Sequence, residues 1–245
     1  MTTEAGRIDS FDFPPGRVLA GKYVIERKLG GGWEGEVYQV VETLTGVRRA
    51  AKLFKPHRNV RDRAVRFYAQ KLERLRDCSI VIQYHSSETI RYRGQQVTCL
   101  VSDQAGGEPL CDFVSRQRGK RLHTFEALHL VHALAEGVEE IHLRREYHGD
   151  LHDENVLVER RGVFFDLKII DFYKWGRPSA AHMRDDVADI VRLLYDAVGG
   201  RAHYAKQPPE IKDICKGLRR DLIGREFPTA SHLREYLESF TWPAG

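Results

Sequence analysis

The chain is poor in the residues that build metal-bound or disulfide-linked folds. Of its 245 residues only 4 are cysteine, namely Cys78, Cys99, Cys111 and Cys215. They stand far apart and form no C-x-x-C pair, so the sequence predicts neither a zinc site nor a disulfide framework. Free thiols fit a reducing compartment, and we therefore expect a cytoplasmic protein.

The chain also lacks a long apolar run and a block of one charge. No stretch approaches the ~18 apolar residues that a membrane span requires. The first thirteen residues have no basic start followed by an apolar core, so no secretion signal is predicted. The formal net charge is +4, but arginine is scattered in short pairs such as Arg48-Arg49 and Arg160-Arg161. We therefore expect neither a membrane nor a nucleic acid as a partner.

What the chain does contain divides into three parts. Residues 1–20 are polar, include Pro14-Pro15, and are expected to form a loose leader. Residues 21–104 show short alternating apolar segments separated by turns, which predict five antiparallel strands with one charged helix. Residues 105–245 begin with a Gly-Gly-Glu-Pro break and continue with helical periodicity. Two apolar stripes carry this periodicity: Ala127, Val131, Leu134, Val138 and Ile141, and Val187, Ile190, Val191, Leu194 and Val198.

A glycine-rich segment lies between the first two predicted strands. Gly30, Gly32 and Gly35 follow the pattern G-x-G-x-x-G, and Val37 stands two positions later. Glycines let the backbone turn tightly and approach phosphate oxygens without an intervening side chain. The segment that leaves the motif is a strand rather than a helix, which argues against a dinucleotide-binding fold. A plain glycine-rich hairpin turn remains the alternative.

Two acids and an amide follow in the helical part. Asp150 and Asn155 stand in a His-x-Asp-x-x-x-x-Asn pattern, and Asp171 follows a predicted hairpin and the apolar pair Ile169-Ile170. Transfer of a phosphoryl group needs a group that accepts a hydroxyl proton and oxygen ligands that hold magnesium. Asp150 suits the first task, and Asn155 with Asp171 suits the second.

The order of these motifs resembles the protein-kinase superfamily. A glycine-rich loop, a strand lysine in Ala-Ala-Lys52, the His-x-Asp loop and an Asp-Phe-x triplet occur in that sequence, and the likeness runs from about Gly21 to Tyr236. The resemblance implies an α+β, two-lobed protein-kinase-like fold with a mainly helical C-terminal lobe. It further implies ATP and Mg²⁺ as cofactors between the lobes, and transfer of the γ-phosphoryl group to a hydroxyl.

The resemblance also implies a role for each matched residue. Asp150 would take the acceptor's proton, Asn155 and Asp171 would hold magnesium, and Lys52 would bridge the α- and β-phosphates. The hinge would run through Ser102 to Ala105. The residues expected to contact the nucleotide are Gly30, Gly32, Gly35, Val37, Ala50, Lys52, Asp103, Ala105 and Leu157.

The helical acid that pairs with the strand lysine in the family is not evident. Alignment of the leucines in this helix puts Tyr68 where the family has glutamate. Glu73 is the nearest acid, but five residues further on it would face about 140° away on an ideal helix. Either the helix is shifted so that Glu73 pairs with Lys52, or that ion pair is missing.

The catalytic loop and the segment after it also depart from the family pattern. Gly149 replaces the usual arginine, so no loop cation is present to receive an activating phosphate. Tyr173 replaces the glycine of the Asp-Phe-Gly triplet, which predicts a segment held in one state. Asp186, the expected brace of the loop, follows soon after, and no Ala-Pro-Glu is present. We expect activity that does not depend on phosphorylation of this segment.

Three readings of the function remain open at this point. The favoured one is a kinase acting on serine or threonine of a protein. The His-Gly-Asp-Leu-His loop and the short segment after Asp171 also resemble small-molecule phosphotransferases of the same superfamily. Tyr68 and the Asp-Phe-Tyr triplet also suggest a pseudokinase, that is, a nucleotide-regulated or nucleotide-free binding module.

Overall fold

A computed structural model describes residues 6–162, 164–172, 174 and 176–240. The chain divides into two compact units, in line with the two lobes expected. The first unit comprises the residues up to Arg76 together with Ile82–Ala105, and the second comprises Asp77–Val81 and the residues from Gly106 onward. The boundary predicted after residue 104 thus falls one residue later, after Ala105.

The first unit is built on an antiparallel sheet. We predicted five strands, whereas six are present among the described residues because a short strand precedes the others. The strands are β1 (Val18–Leu19), β2 (Tyr23–Gly31), β3 (Gly35–Glu42), β4 (Arg48–Phe54), β5 (Tyr84–Tyr92) and β6 (Gln95–Asp103). Their order across the sheet is β1-β2-β3-β4-β6-β5. The single predicted helix, α1 (Arg63–Arg74), follows a three-residue 3₁₀ turn at Val60–Asp62.

The N-terminal segment is not a loose leader. Ile8, Phe11 and Phe13 are buried in the core of the first unit, so that prediction was wrong for residues 6–20. The ring of Phe13 stacks on Tyr38 with centroids 5.9 Å apart. Three large apolar side chains within six residues remove enough surface from water to hold a segment that has almost no secondary structure of its own. Residues 1–5 lie outside the described residues.

Glu36 fastens this segment to β3. Its carboxylate is 6% exposed and accepts hydrogen bonds from Ser10 Oγ (2.8 Å), Phe11 N (3.2 Å) and the hydroxyl of Tyr38. Lys28 Nζ lies 3.0 Å from it. Burial alone would raise the pKa of Glu36, but the hydrogen bonds from Tyr38, Ser10 and Lys28 outweigh burial and lower the pKa below its ordinary value. Glu36 therefore stays ionised at neutral pH.

Replacing Glu36 by alanine should detach the N-terminal segment. Several buried donors would lose their acceptor at once, so we expect the free energy of unfolding to fall by about 3 kcal/mol. Urea denaturation at neutral pH measures this loss, and faster amide exchange at residues 10–13 would locate it. Glu42→Ala, an acid on the same strand but less buried, is the matched control and should change stability by no more than ~0.5 kcal/mol. An unchanged urea midpoint for Glu36→Ala would refute the fastening role.

The second unit is mainly helical. Its described helices are α2 (Leu110–Ser115), α3 (Thr124–Leu143), α4 (Ala180–Ala197), α5 (Gly200–His203), α6 (Pro209–Cys215), α7 (Arg220–Glu226) and α8 (Ala230–Glu238), with 3₁₀ turns at Tyr204–Lys206 and Lys216–Leu218. Every member of the two predicted apolar stripes is buried. The stripe on α3 and the stripe that begins on α4 therefore form the core, as their spacing predicted.

A small sheet in this unit carries the predicted hairpin. It consists of β7 (Glu108–Pro109), β8 (Val156–Arg161) and β9 (Phe164–Ile169). The segment Asp77–Val81 belongs here, since Ile169 N donates to Ile80 O and Ser79 N donates to Glu140, both at 2.8 Å. The strand predicted from residue 80 therefore begins only at Tyr84. Within the described part of the chain, no helix is both long and apolar enough to cross a membrane.

Candidate active site

One face of the sheet in the first unit gathers the residues expected to meet a nucleotide. Gly30 pairs with Val37, Val37 pairs with Lys52, and Ala50 lies two residues before Lys52 on the same strand. Residues directly opposite each other on neighbouring strands, and residues two apart along one strand, share a face of the sheet. The side chains of Val37, Ala50 and Lys52 thus share the face on which Gly30 also lies. The aromatic core around Tyr38 occupies the opposite face.

Gly35 cannot be replaced without moving the strands. A Cβ atom built on Gly35 would lie 2.0 Å from the carbonyl oxygen of Leu53, which is backbone and cannot swing away. Gly30 and Gly32 have no such restriction, because nothing lies within 4 Å of a Cβ built on either. The last glycine of the motif is therefore demanded by packing, while the first two leave open space.

Lys52 pairs with an acid that the sequence did not single out. Its Nζ lies 3.2 Å from Oε2 of Glu34, inside the glycine-rich motif, and 4.5 Å from the ring centre of Tyr68 on α1. Glu73 instead pairs with Arg76 at 2.7 Å on the exposed side of α1. Of the two alternatives for Glu73, pairing with Lys52 is thus not observed. The only sequence signal for Glu34 was an acid directly before Gly35.

The remaining expected contacts of the first unit lie at the end of β6. Asp103 ends this strand, and its Oδ1 accepts hydrogen bonds from Arg49 Nη1 (2.9 Å) and His85 Nε2 (2.6 Å). Its backbone N donates to Gln83 O at 2.9 Å. Ala105 is the last residue of the unit. The Asp103 side chain is therefore engaged by Arg49 and His85, and its contact with a nucleotide stays a prediction.

In the second unit, Asp186 organises the loop that carries Asp150. Its Oδ2 accepts from His148 N (2.8 Å) and His142 Nε2 (3.0 Å), and its Oδ1 accepts from Gly149 N (2.7 Å). Burial alone would raise the pKa of Asp186, but the hydrogen bonds from His142, Gly149 and His148 outweigh burial and lower the pKa. The expected bracing role of this aspartate is thus visible in its contacts.

The backbone of Asp150 is fixed on both sides. Its N donates to His148 Nδ1 at 3.3 Å, and its carbonyl oxygen accepts from Asn155 Nδ2 at 3.0 Å. The side chain of Asp150 keeps a third of its surface exposed. His152 Nε2 lies 3.7 Å from Asp150 Oδ2. A carboxylate on a rigid loop and open to solvent suits a group that must receive a substrate hydroxyl.

Asn155 and Asp171 are joined through Ile170. The N of Ile170 donates to Asn155 O (3.0 Å), and its carbonyl oxygen accepts from His148 Nε2 (2.8 Å). Asp171 follows directly, in a left-handed conformation with φ of 63°. The three residues predicted to handle the acceptor and the metal thus belong to one hydrogen-bonded group. Leu157, expected below the nucleotide, lies on β8 opposite Pro109 and Lys168.

These side chains fit magnesium that arrives with a phosphate. Asn155 turns its Nδ2 toward Asp150 O and His152, and no described residue donates a hydrogen bond to its Oδ1. No cluster of three or more His, Cys, Asp or Glu side chains among the described residues could hold a metal by itself. Magnesium is usually bound by one or two carboxylates together with substrate phosphates rather than by an all-protein cage. One carboxylate and one amide oxygen match that arrangement.

The backbone explains why glycine replaces arginine at 149. Gly149 has φ of +82°, and a Cβ there would lie 2.8 Å from both Cγ of Lys174 and Cε2 of Tyr147. A residue with a side chain would be strained and would clash at this position. Phe172 is fully buried with its ring edge-on to His148, 4.6 Å between centroids. Tyr173, the basis for predicting a segment held in one state, lies outside the described residues.

Ser179 has a structural role at the end of this segment. It is the N-cap of α4, where its side chain accepts a hydrogen bond from His182 N at 3.3 Å. A capping serine contributes to the helix whether or not it is ever modified.

We expect Ser179→Ala to lower the free energy of unfolding by about 1 kcal/mol, because the cap is lost. Ser179→Asp should keep wild-type stability, since aspartate caps equally well. Turnover should survive in both variants and in Ser179→Ala combined with Tyr173→Phe. Urea denaturation and an activity assay measure the two effects. Loss of turnover in the double variant with nucleotide still bound would show that activity depends on this segment's hydroxyls.

Comparison with known proteins identifies the family. The model of the protein kinase domain matches residues 23–186. The chain belongs to the protein kinase family. Two curated kinases are similar to part of the chain. CBL-interacting protein kinase 30 of Oryza sativa subsp. japonica is 30% identical over 160 residues. Death-associated protein kinase 2 of Homo sapiens is 28% identical over 155 residues. These segments cover 64% and 61% of this chain but only 31% and 40% of those proteins.

Solved kinase structures show the same fold. The kinase domain of Mycobacterium tuberculosis PknI aligns with 92% of this chain and 97% of its own, with a TM-score of 0.62 and 19% identity. The kinase-like α+β fold expected from the sequence is thereby confirmed. The family explains why the glycine-rich strands and the His-x-Asp loop occur in one chain.

Proposed function

We propose that this kinase-family chain transfers the γ-phosphoryl group of ATP, with magnesium, to a serine or threonine hydroxyl of a protein. The observation that carries the proposal is the hydrogen bonding on both sides of Ile170. It joins the strand end that carries Asp171 to the loop that carries Asp150 and Asn155. Placing a base and two metal ligands on one rigid group is what phosphoryl transfer requires of a protein.

Each residue then has a defined task. Asp150 orients the acceptor hydroxyl and takes its proton through the exposed part of its carboxylate. Asn155 Oδ1 and the carboxylate of Asp171 hold magnesium, which offsets negative charge on the phosphates when it is bound. Lys52 donates to phosphate oxygens, and the open space above Gly30 and Gly32 lets phosphates approach their backbone.

The choice of a protein acceptor rests on the relatives. One of them is named CBL-interacting serine/threonine-protein kinase 9, of Arabidopsis thaliana, and is 27% identical over 164 residues. The second candidate is a small-molecule phosphotransferase. It is favoured by the short stretch between Asp171 and α4, which leaves little chain to hold a peptide.

Incubation with radiolabelled ATP tests the proposal. We expect label on generic protein substrates in the presence of magnesium, no label with a chelator, and no label with Asp171→Asn. Asp166→Asn, on the exposed part of β9, is the matched control and should transfer as the wild type does. Label on sugar or aminoglycoside acceptors alone would favour the second candidate. Nucleotide binding without transfer to any acceptor would refute both and identify a binding module.

A further inference from the structure

Lys52 pairs with Glu34 in a chain whose helix α1 has Tyr68 where the family has an acid. The Lys52 and Glu34 side chains are only 12% and 8% exposed, so their contact at 3.2 Å is largely shielded from water. A lysine removed from water needs a nearby opposite charge, because otherwise its charged form is strongly disfavoured. Within the first unit, Glu34 supplies that charge.

Helix α1 contributes an aromatic ring where the family has a carboxylate. Tyr68 is 3% exposed, and its ring centre is 4.5 Å from Lys52 Nζ. An ammonium group over an aromatic face is attracted by the quadrupole of the ring, whose face is partially negative. The ring also packs edge-on against Phe54, with an interplanar angle of 69° and centroids 6.2 Å apart. Tyr68 therefore adds to the hold on the lysine but cannot neutralise it.

Glu34 is held by the backbone around it rather than by its side chain alone. Its carbonyl oxygen accepts from Lys55 N at 2.9 Å, just beyond the end of β4. Lys55 Nζ donates to Gly32 O at 2.8 Å, and Gly32 N donates to Gly35 O at 2.9 Å. The stretch that carries Glu34 is thus tied to the strand that carries Lys52. An acid fixed in this way can hold the lysine in one orientation.

We propose that Glu34 is the positioning residue for Lys52, and that the lysine–acid pair of this kinase lies entirely within the glycine-rich motif and β4. The proposal rests on the proposed function only in assigning Lys52 to the phosphates. Its consequence is that the orientation of Lys52 does not depend on an acid of α1. Tyr68 then stands at the position on α1 where the family has the acid.

Glu34→Gln removes the charge and keeps the shape, so it isolates the effect. Without the Glu34 carboxylate, Lys52 loses a close charged contact, and a small displacement of a phosphate-binding group is costly. We expect kcat/KM for ATP to fall roughly 10- to 100-fold. The affinity for a fluorescent ATP analogue should fall as well. Glu73→Gln, the same change on the exposed face of α1, is the matched control and should leave both values unchanged.

A second variant separates positioning from general damage. A glutamate carboxylate reaches about as far from its Cα as a tyrosine ring centre does, so Tyr68→Glu should place an acid beside Lys52. We expect Glu34→Gln combined with Tyr68→Glu to regain most of the lost kcat/KM and affinity. If Glu34 only stabilised the fold, a carboxylate at position 68 would not restore kcat/KM or nucleotide affinity. Unchanged or tighter nucleotide binding by Glu34→Gln, or no recovery in a folded double variant, would overturn the proposal.

A chemical readout keeps this test independent of transfer and of nucleotide. Lys52 should react faster with a small amine-directed reagent in Glu34→Gln than in the wild type, as followed by mass spectrometry of its peptide. The double variant should return the rate toward the wild-type value. Equal rates in all three proteins would overturn the pairing. A changed rate in a protein that transfers no phosphoryl group would refute the proposed function but leave the pairing intact.

Discussion

Replacing Asp150 by asparagine is expected to lower kcat about 100- to 10,000-fold, the usual range for loss of a general base. Asparagine has nearly the same shape but cannot take a proton from the acceptor hydroxyl. Two hydrogen bonds that position the loop, from Asp150 N to His148 Nδ1 and from Asn155 Nδ2 to Asp150 O, do not involve the carboxylate. The loop should therefore keep its conformation. The affinity for ATP should stay within about threefold of wild type, because the change does not alter the contacts that bind the nucleotide before the reaction.

The same loop offers a control for this change. Asp153 lies three residues after Asp150, and its backbone oxygen accepts from Cys111 N at 3.3 Å. Asp153→Asn should keep wild-type kcat, because this position has no assigned part in the transfer. Steady-state kinetics with a labelled acceptor, together with a nucleotide-binding measurement, compare the two variants. If Asp150→Asn retained a third or more of the wild-type kcat, Asp150 would not be the base.

A sequence predicts best those features in which residue type and spacing are fixed together. Asp150, Asn155 and Asp171 match the acid, amide and acid that phosphoryl transfer needs, and hydrogen bonds connect the segments that carry them, while their roles stay a prediction. The stripes that include Val131 and Val187 were predictable for a similar reason, since a helix buries residues at its own period. The helical pattern is local, because it repeats within a single helix.

The misses have a different physical origin. The burial of Phe11 and Phe13 depends on Tyr38 and Glu36, about 25 residues away, in a segment with almost no period of its own. Such long-range contacts leave no signal in the segment itself. The pair between Glu34 and Lys52 depends on how the glycine-rich motif turns back onto β4, which composition cannot specify. The sequence showed that Tyr68 stands where the family has a glutamate, but it did not show that Glu34 lies beside Lys52 instead.

Asp186 illustrates how a structural carboxylate supports the loop that carries Asp150, and its removal should have a large effect on stability. Asp186→Ala would leave His148 N, Gly149 N and His142 Nε2 without their common acceptor in a fully buried place. Removing one partner of such a buried charged group costs about 3–5 kcal/mol. We expect a loss of that size in the free energy of unfolding at pH 7, measured by urea denaturation.

The neighbouring acid provides the matched control. Asp185 is the preceding residue, is half exposed, and pairs with Arg220 at 2.8 Å on the surface of α4. Exposed ion pairs contribute little, so Asp185→Ala should cost less than about 1 kcal/mol. A loss below 1 kcal/mol for Asp186→Ala as well would show that the loop holds its shape without this carboxylate.

The pH dependence of the loss tests the electrostatic part of the argument. Because the hydrogen bonds lower the pKa of Asp186 below its ordinary value of 3.8, the folded protein keeps the carboxylate ionised at pH values where the unfolded chain takes up a proton. Its contribution is therefore complete above about pH 3.8 and declines as the pH falls through the lowered value. The difference in the free energy of unfolding between wild type and Asp186→Ala should stay constant from pH 7 to pH 5 and narrow below pH 3.8. A difference that narrowed already between pH 7 and pH 5 would show that the lowered pKa of Asp186 does not set its pH dependence.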